Sequence, residues 1–279
     1  MKEFWKRFSC NKGAVLGVVI LGLVIVLSAA APFVFPKSPW AMVQRPFIPP
    51  FTMDGFWLGT DPMGRDLAAG IAHGARVSLL VGLVSTAVSL LIGIPIGAAA
   101  GYFGGWVDDI LMRFTEFFQS APSFTLAVVL VAIFQPSIAS IVIAIALVSW
   151  PPVARLLRGE VMSLKSREFV EAAVLSGQGH WTIIWRQILP NTLSPIIVLA
   201  SMMVAAAILI ESSLSFLGLG DRNVMSWGYI IGAGRTVIRQ AWWVSFFPGA
   251  AILFTALALN LIGEGLNDAL NPRLHRRGK

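Results

Sequence analysis

The chain has 279 residues, 56% of them hydrophobic and 13% charged, with a formal net charge of +7. Soluble domains carry about 25% charged residues, so a water-soluble globule of this length could not bury so much apolar surface, and lipid must be the solvent for much of the chain. The mean hydropathy of +0.77 agrees, and the basic residues lie in short tracts between apolar runs, which is the positive-inside pattern of a membrane protein and not the basic face of a nucleic-acid binder.

The chain opens on a basic tail with Lys2, Lys6, Arg7 and Lys12. Cys10 is the sole cysteine, which excludes an intrachain disulfide and any metal-type cysteine spacing. The uncharged stretch Gly13–Pro36 holds a first span. A secretory signal is the rival reading, because Ala29-Ala30-Ala31 resembles a cleavage site, but the apolar run exceeds the roughly 7–15 residues of such signals and Pro32 would come directly after the cut. A retained helix is expected. The next stretch, Val77–Val107, holds a span over 77–100, with Gly101, Gly104 and Gly105 breaking the helix beyond it. Gly93, Gly97, Gly101 and Gly105 recur every four residues and predict one small-residue ridge for close helix packing; Pro95 within it predicts a kink.

The third stretch, Phe117–Ala154, would make a single helix about 57 Å long, nearly twice the bilayer core. Gln135-Pro136-Ser137 offers a turn, giving spans over 108–134 and 137–156, with Arg113 and Glu116 three residues apart and able to pair. Gln187–Ile210 and Gln240–Gly263 hold the last two spans, over 196–218 and 245–264. The fold class expected is an all-α polytopic membrane protein with six spans. A first unit covers 1–75 (tail, first helix and outer loop), a main transmembrane domain covers 76–268, and a basic tail covers 269–279.

Charge then predicts orientation. With six spans, Lys2, Lys6, Arg7, Lys12, Arg155, Arg158, Lys165, Arg167, Arg186, Arg273, Arg276, Arg277 and Lys279 fall on one side. The other side holds only Lys37, Arg45, Arg65, Arg76, Arg222, Arg235 and Arg239. Both termini are expected in the cytoplasm, with the chain in a bacterial inner membrane.

No constellation for catalysis is present. His73, His180 and His275 are scattered without ligand spacing, and neither a Gly-x-Ser-x-Gly elbow nor a His-Glu-x-x-His motif occurs. Glu211 is the one acid well inside an apolar run, and Glu264 ends another; alone, neither makes a membrane-embedded active site. Glu211 is a pore residue or a hydrogen-bonded structural group. Gly159–Ser166 comes close to a phosphate loop, but Leu164 stands where the second glycine must let the backbone cradle phosphate. No metal or cofactor is expected in this chain, and ATP chemistry must come from another one.

A cytoplasmic loop is expected over about 158–195, and its informative segment is 166–195, SREFVEAAVLSGQGHWTIIWRQILPNTLSP. A helix is predicted over 167–175, stopped by Gly177 and Gly179, and a second over 180–189 before Pro190. Trp181, Ile184 and Trp185 fall at i, i+3 and i+4 and are expected on one face. Such a helix–turn–helix could rest on the lipid surface or dock into a soluble partner.

Glu171-Ala172-Ala173, then Gly177, then Leu189-Pro190 resemble the cytoplasmic EAA motif of binding-protein-dependent ABC importer permeases. Gln187 stands where the family has isoleucine, with Ile188 beside it. Ile188-Leu189-Pro190-Asn191 resembles the dipeptide/oligopeptide/nickel branch. The run from Leu58 to Asp66 resembles the first outer loop of that branch's C-type permeases, and the run from Gly74 to Leu79 the start of their second helix. The run from Leu214 to Gly220, with Ser226-Trp227-Gly228, is similar to the end of their fifth helix; Asp221–Met225 replaces the family's proline-rich link. The resemblance implies a type I importer permease for dipeptides or oligopeptides, or for nickel, glutathione or opine-type solutes. It also implies a related B-type permease as partner, two ATPase subunits that bind ATP and Mg, and an extracytoplasmic solute-binding protein. Glu171, Ala172, Ala173, Gly177, Leu189 and Pro190 would then couple the chain to the ATPase. An ion-coupled secondary transporter, the competing class, would need ionisable groups at midplane and internal repeats, and neither is visible.

Overall fold

The computed structural model describes residues 2–270; the basic residues expected in the C-terminal tail lie outside them. A short helix α1 (Lys2–Cys10) precedes α2 (Lys12–Val34), and a connection over 35–66 leads to α3 (Leu67–Phe103). Beyond it come α4 (Gly105–Ser120), α5 (Ser123–Phe134), α6 (Ile138–Lys165) and α7 (Glu168–Leu175). The next helical run begins as α8 (His180–Thr182), winds as a π-helix over Ile183–Ile188, continues as α9 (Leu189–Leu214) and ends in a π-turn over Ser215–Leu219. A short α10 (Trp227–Gly234) and the long α11 (Trp243–Leu270) complete the fold. Among the described residues, extended pairing is limited to two isolated bridges, Met42–Arg65 and Thr60–Asp66.

Five helical runs are long and apolar enough to cross a membrane, and α4 with α5 makes a sixth as a pair bent by 80°. Six spans are therefore reached only by counting that bent pair as one. The straight helix expected over 108–134 is broken because Pro122 lacks an amide hydrogen and drives Ala121 into an extended conformation, φ −91° and ψ 143°. The expected Arg113–Glu116 pair does not form among the described residues. Arg158 instead grips Asp108 through two bonds of 2.5 Å each, tying α6 to α4.

The second span starts earlier than expected, at Leu67 and not Val77. Asp66 caps its first turn by accepting from the Ala68 amide, and burial pushes this carboxyl above its ordinary pKa, against the pull of the Ala68 and Ala69 amides. The polar residues of this first part are absorbed by the end of α2. Pro32 has no amide hydrogen for the Ser28 carbonyl, and Arg76 Nε donates to that oxygen at 2.8 Å, with its Nη2 on Ala29 O at 3.1 Å.

Gly93, Gly97 and Gly101 do form a ridge, packed on the parallel α6. A Cβ on Gly93 would stand 2.8 Å from Trp150 O, one on Gly97 would meet Ala154 O, and one on Gly101 would stand 2.7 Å from Arg158 O. Gly105 is not part of the ridge: α3 ends at Phe103, Gly104 and Gly105 both take positive φ, and Gly105 starts α4 with open space around it. The fourth span also runs further than expected, through Pro151 and Pro152 to Lys165, so the connecting loop begins at 166 and not near 158. At 28 residues α6 is about 42 Å long, longer than the hydrocarbon core, and its end projects.

The 35–66 connection is lashed to the far end of the bundle. Thr60 accepts from the Ile48 amide and donates to Arg45 O, while Trp243 Nε1 donates to Thr60 O. The Arg65 guanidinium pairs with Asp61 and lies 5.3 and 5.6 Å over the Trp40 and Tyr229 rings. Burial alone would lower the Arg65 pKa, but Tyr229 and Asp61 more than offset it and hold it above its ordinary value.

Candidate functional site

The loop after α6 is a short helix, a tight reversal and a return into the bundle. α7 carries Glu168 and Glu171 in its first turn, where carboxylates favour the positive end of the helix dipole. Val170 and Ala173 turn inward, while Glu171 and Ala172 face out. The helix is closed by paired bonds from Gly177 N to Val174 O and from Gln178 N to Ala173 O. This double bond requires a left-handed residue after the cap, and Gly177 supplies it with φ +73°. Nothing lies within 4 Å of where a Gly177 side chain would begin, so the turn presents a bare surface.

The loop is rooted rather than loose. Val170, Ala173, Ile183, Ile184, Ile188 and Leu189 pack in one buried cluster with Leu157 and Val161 of α6 and Ala98 and Tyr102 of α3. Tyr102 Oη bonds His180 Nδ1 at 3.0 Å. Phe103 meets the His180 and Trp181 rings edge-on, and Lys165 lies 5.6 Å over the Tyr102 ring. A cavity of about 350 Å³ opens beside these groups, lined by Tyr102, Lys165, Val170, Glu171, Val174 and Leu175. Its chemistry is that of a contact surface: one carboxylate and one ammonium on an apolar floor. The Glu171 side chain makes no hydrogen bond or ion pair among the described residues.

Two expectations for this segment are overturned. Pro190 does not end the second helix; the run continues from His180 to Leu219 for 40 residues. The wider winding over Ile183–Ile188 lets the chain pass Pro190, which has no amide to give and would clash with the i−4 carbonyl of a regular helix. The same winding separates the supposed apolar face. Trp181 and Trp185 are 63% and 60% exposed, but Ile184 is 1% exposed, because a turn closed by i→i+5 bonds rotates it away from the tryptophans.

Of the six residues singled out for coupling, Glu171, Ala172, Gly177 and Pro190 lie at the surface, and Ala173 and Leu189 meet in the cluster beneath. Glu211 belongs elsewhere, about 33 Å along the helix from Leu189. It is 1% exposed and accepts from Ser226 Oγ at 2.8 Å, Ser215 Oγ at 3.0 Å and Ser212 Oγ at 3.3 Å. Its carboxylate is a clasp on three hydroxyls, one of them from the far side of the 220–226 turn. Ser226 also caps α10 by accepting from the Tyr229 amide, and Gly228 lets α10 lie against Ser212. Trp227 completes the seat, with Nε1 donating to Ile71 O and its amide to Ser78 Oγ. Sequence reasoning does not single out Tyr102, Phe103 and His180 as anchors of the loop; the Tyr-Phe pair ahead of Gly104-Gly105, at a helix end, is the signal that could have found them.

Residues 93–276 match the family described as binding-protein-dependent transport system inner membrane component, and residues 1–54 match the N-terminal TM domain of oligopeptide transport permease C. The chain is 42% identical to a Pseudomonas aeruginosa protein named di/tripeptide transport system permease protein DppC, over 98% of this chain and 92% of that one. It is 41% identical to the oligopeptide transport system permease protein OppC of Haemophilus influenzae, over 96% of this chain and 87% of that one. In fold it resembles a chain of the MetNI methionine ABC transporter in an inward facing conformation, with a TM-score of 0.60 and 15% identity over 72% of this chain and 96% of that one. Both the sequence match along nearly the whole chain and the shared helical bundle point one way, and the chain belongs to the binding-protein-dependent transport system inner membrane component family.

Proposed function

We propose that this chain is the C-type permease of an ATP-driven importer for dipeptides or oligopeptides, and that α7 and the Gly177 turn are its coupling knob. The main transmembrane domain is placed at 76–268. A related B-type permease supplies the other half of the pathway, two ATPase subunits hold ATP and Mg, and an extracytoplasmic binding protein delivers solute. Both termini and the α7 loop lie in the cytoplasm. The observation that carries this reading is the contrast within α7. Its inner face is fixed in a cluster shared with α3 and α6, while Glu171, Ala172 and the bare Gly177 turn are left exposed. A push on that surface is transmitted through Val170 and Ala173 to the helices that carry the spans, as a bistable bundle needs.

The test is a pair of variants in the reconstituted transporter. Gly177→Leu places a branched side chain at φ +73°, at a cost of about 1–2 kcal/mol, and into whatever cleft receives the turn. Glu171→Lys reverses the unpaired carboxylate of the knob. Neither touches a span, so assembly with the sister permease should survive while solute-stimulated ATP hydrolysis and uptake fall severely. The exposed Trp181 and Trp185 suit a second reading in which the hairpin rests on lipid; that reading expects ATPase association and uptake to stay normal in both variants, and such a result would sink the coupling role.

A further inference from the structure

Between α4 and α6, toward the α7 end of the bundle, lies a cavity of about 480 Å³, within the size range of small-molecule sites. It is lined by three acids and three arginines: Asp108, Asp109, Glu116, Arg113, Arg155 and Arg158. Asp108 and Arg158 satisfy each other. The side chains of Arg113, Arg155 and Glu116 make no hydrogen bond or ion pair among the described residues.

Trp106, Ile110 and Phe117 form an exposed apolar stripe at helical spacing with Arg113 beside it, while Phe114 stacks on Trp150 of α6. Asp108, Met112 and Glu116, four residues apart in turn, form a separate ridge turned well away from that stripe. Asp108 and Glu116 of this ridge, with Asp109 and Arg113, share the cavity with Arg155 and Arg158 of α6. Unpaired guanidinium groups suit a carboxylate, and an unpaired carboxylate suits an ammonium. Both sit in one cavity with no net charge.

We propose that this cavity binds the solute in transit: a short zwitterionic peptide, its terminal carboxylate held by Arg113 and Arg155 and its terminal ammonium by Glu116. This rests on the importer reading above. The Asp108–Arg158 pair positions the two helices and does not itself contact the peptide. Because α6 leads directly into α7, movement of the coupling knob would open or close the site, so release is tied to the ATPase cycle.

The test uses the complete transporter in vesicles, with sister permease, ATPases and binding protein, and a radiolabelled dipeptide as probe. The quantity read is dipeptide delivered per ATP hydrolysed. The double variant Arg113→Gln/Arg155→Gln should lower it by ~10-fold or more, as expected for losing charge-assisted bonds, while binding-protein-stimulated hydrolysis continues. Arg155→Lys, which keeps the charge but not the two-pronged geometry, should lose less, and it keeps the test open if the double variant fails to assemble. Unchanged delivery per ATP in the double variant, or in Arg155→Gln alone, overturns the proposal. So does an equal loss of hydrolysis and delivery, which would make the arginines structural. An effect that needs phosphatidylethanolamine and vanishes in pure phosphatidylcholine vesicles would give the cavity to a lipid headgroup and also overturn it. An unmutated transporter without binding-protein-stimulated hydrolysis would bring down the importer reading itself.

Discussion

Glu211 shows how one side chain can fix the path of a connection. A carboxylate inside an apolar helix is expensive unless its oxygens are filled, and here three serine hydroxyls fill them, one of which comes from the far side of the 220–226 turn. Removing the acceptor orphans those hydroxyls and frees the cap of α10. Glu211→Leu should cost about 2–4 kcal/mol, counting the lost charged bond and the unsatisfied groups, and lower the thermal midpoint of the detergent-solubilised protein. Glu211→Gln keeps one oxygen acceptor, and its amide can donate to a rotated hydroxyl, so it should fall between the two. A Leu variant as stable as the parent would show that the clasp is not structural.

At the scale of elements, the bundle is assembled by backbone approach more than by large side chains, as expected where lipid is the competitor. Gly97 sits where any Cβ would collide with the Ala154 carbonyl of α6, whereas Gly22 in α2 has nothing within 4 Å. Gly97→Ala should therefore destabilise by about 1–3 kcal/mol, the usual cost of overpacking, and Gly22→Ala should be neutral or slightly stabilising through helix propensity; comparing their thermal midpoints decides it. The ridge is readable in the sequence because its four-residue period is a local pattern. The Gly177 turn is readable for the same reason, since a helix stop is written in adjacent residues. Features that depend on partners far apart in the chain are not. Arg158 finds Asp108 across 50 residues while the neighbours Arg113 and Glu116 do not pair among the described residues, and Tyr102 finds His180 across 78. Pro190 and Ile184 depart from expectation because both inferences assume regular α winding, and periodicity at i, i+3 and i+4 fails once a turn takes in a fifth residue.

At the scale of the whole molecule, the proposed topology joins the two charged regions to one compartment. α3 and α6 run parallel, as the Gly93–Trp150 and Gly101–Arg158 approaches show, so their ends at Phe103 and Lys165 lie on the same side as α7. The 35–66 connection and the α5–α6 turn lie at the opposite ends of those helices. If the basic excess marks the cytoplasm, the first group faces in and the second faces out. Cys10 is the sole cysteine and is exposed, so a Cys10→Ser background gives a clean chain for labelling. New cysteines at the exposed positions Thr52 and Pro136 should react with an impermeant maleimide applied to intact cells, whereas cysteines at the exposed Ser166 and Gln178 should react only after permeabilisation. The four sites also test the bent pair. If α4 and α5 together did not cross the bilayer, Pro136 would lie opposite Thr52 and stay unlabelled in intact cells, and Ser166, across α6, would label instead. Labelling of Ser166 or Gln178 from outside would invert the topology, and with it the assignment of the α7 knob to a cytoplasmic ATPase.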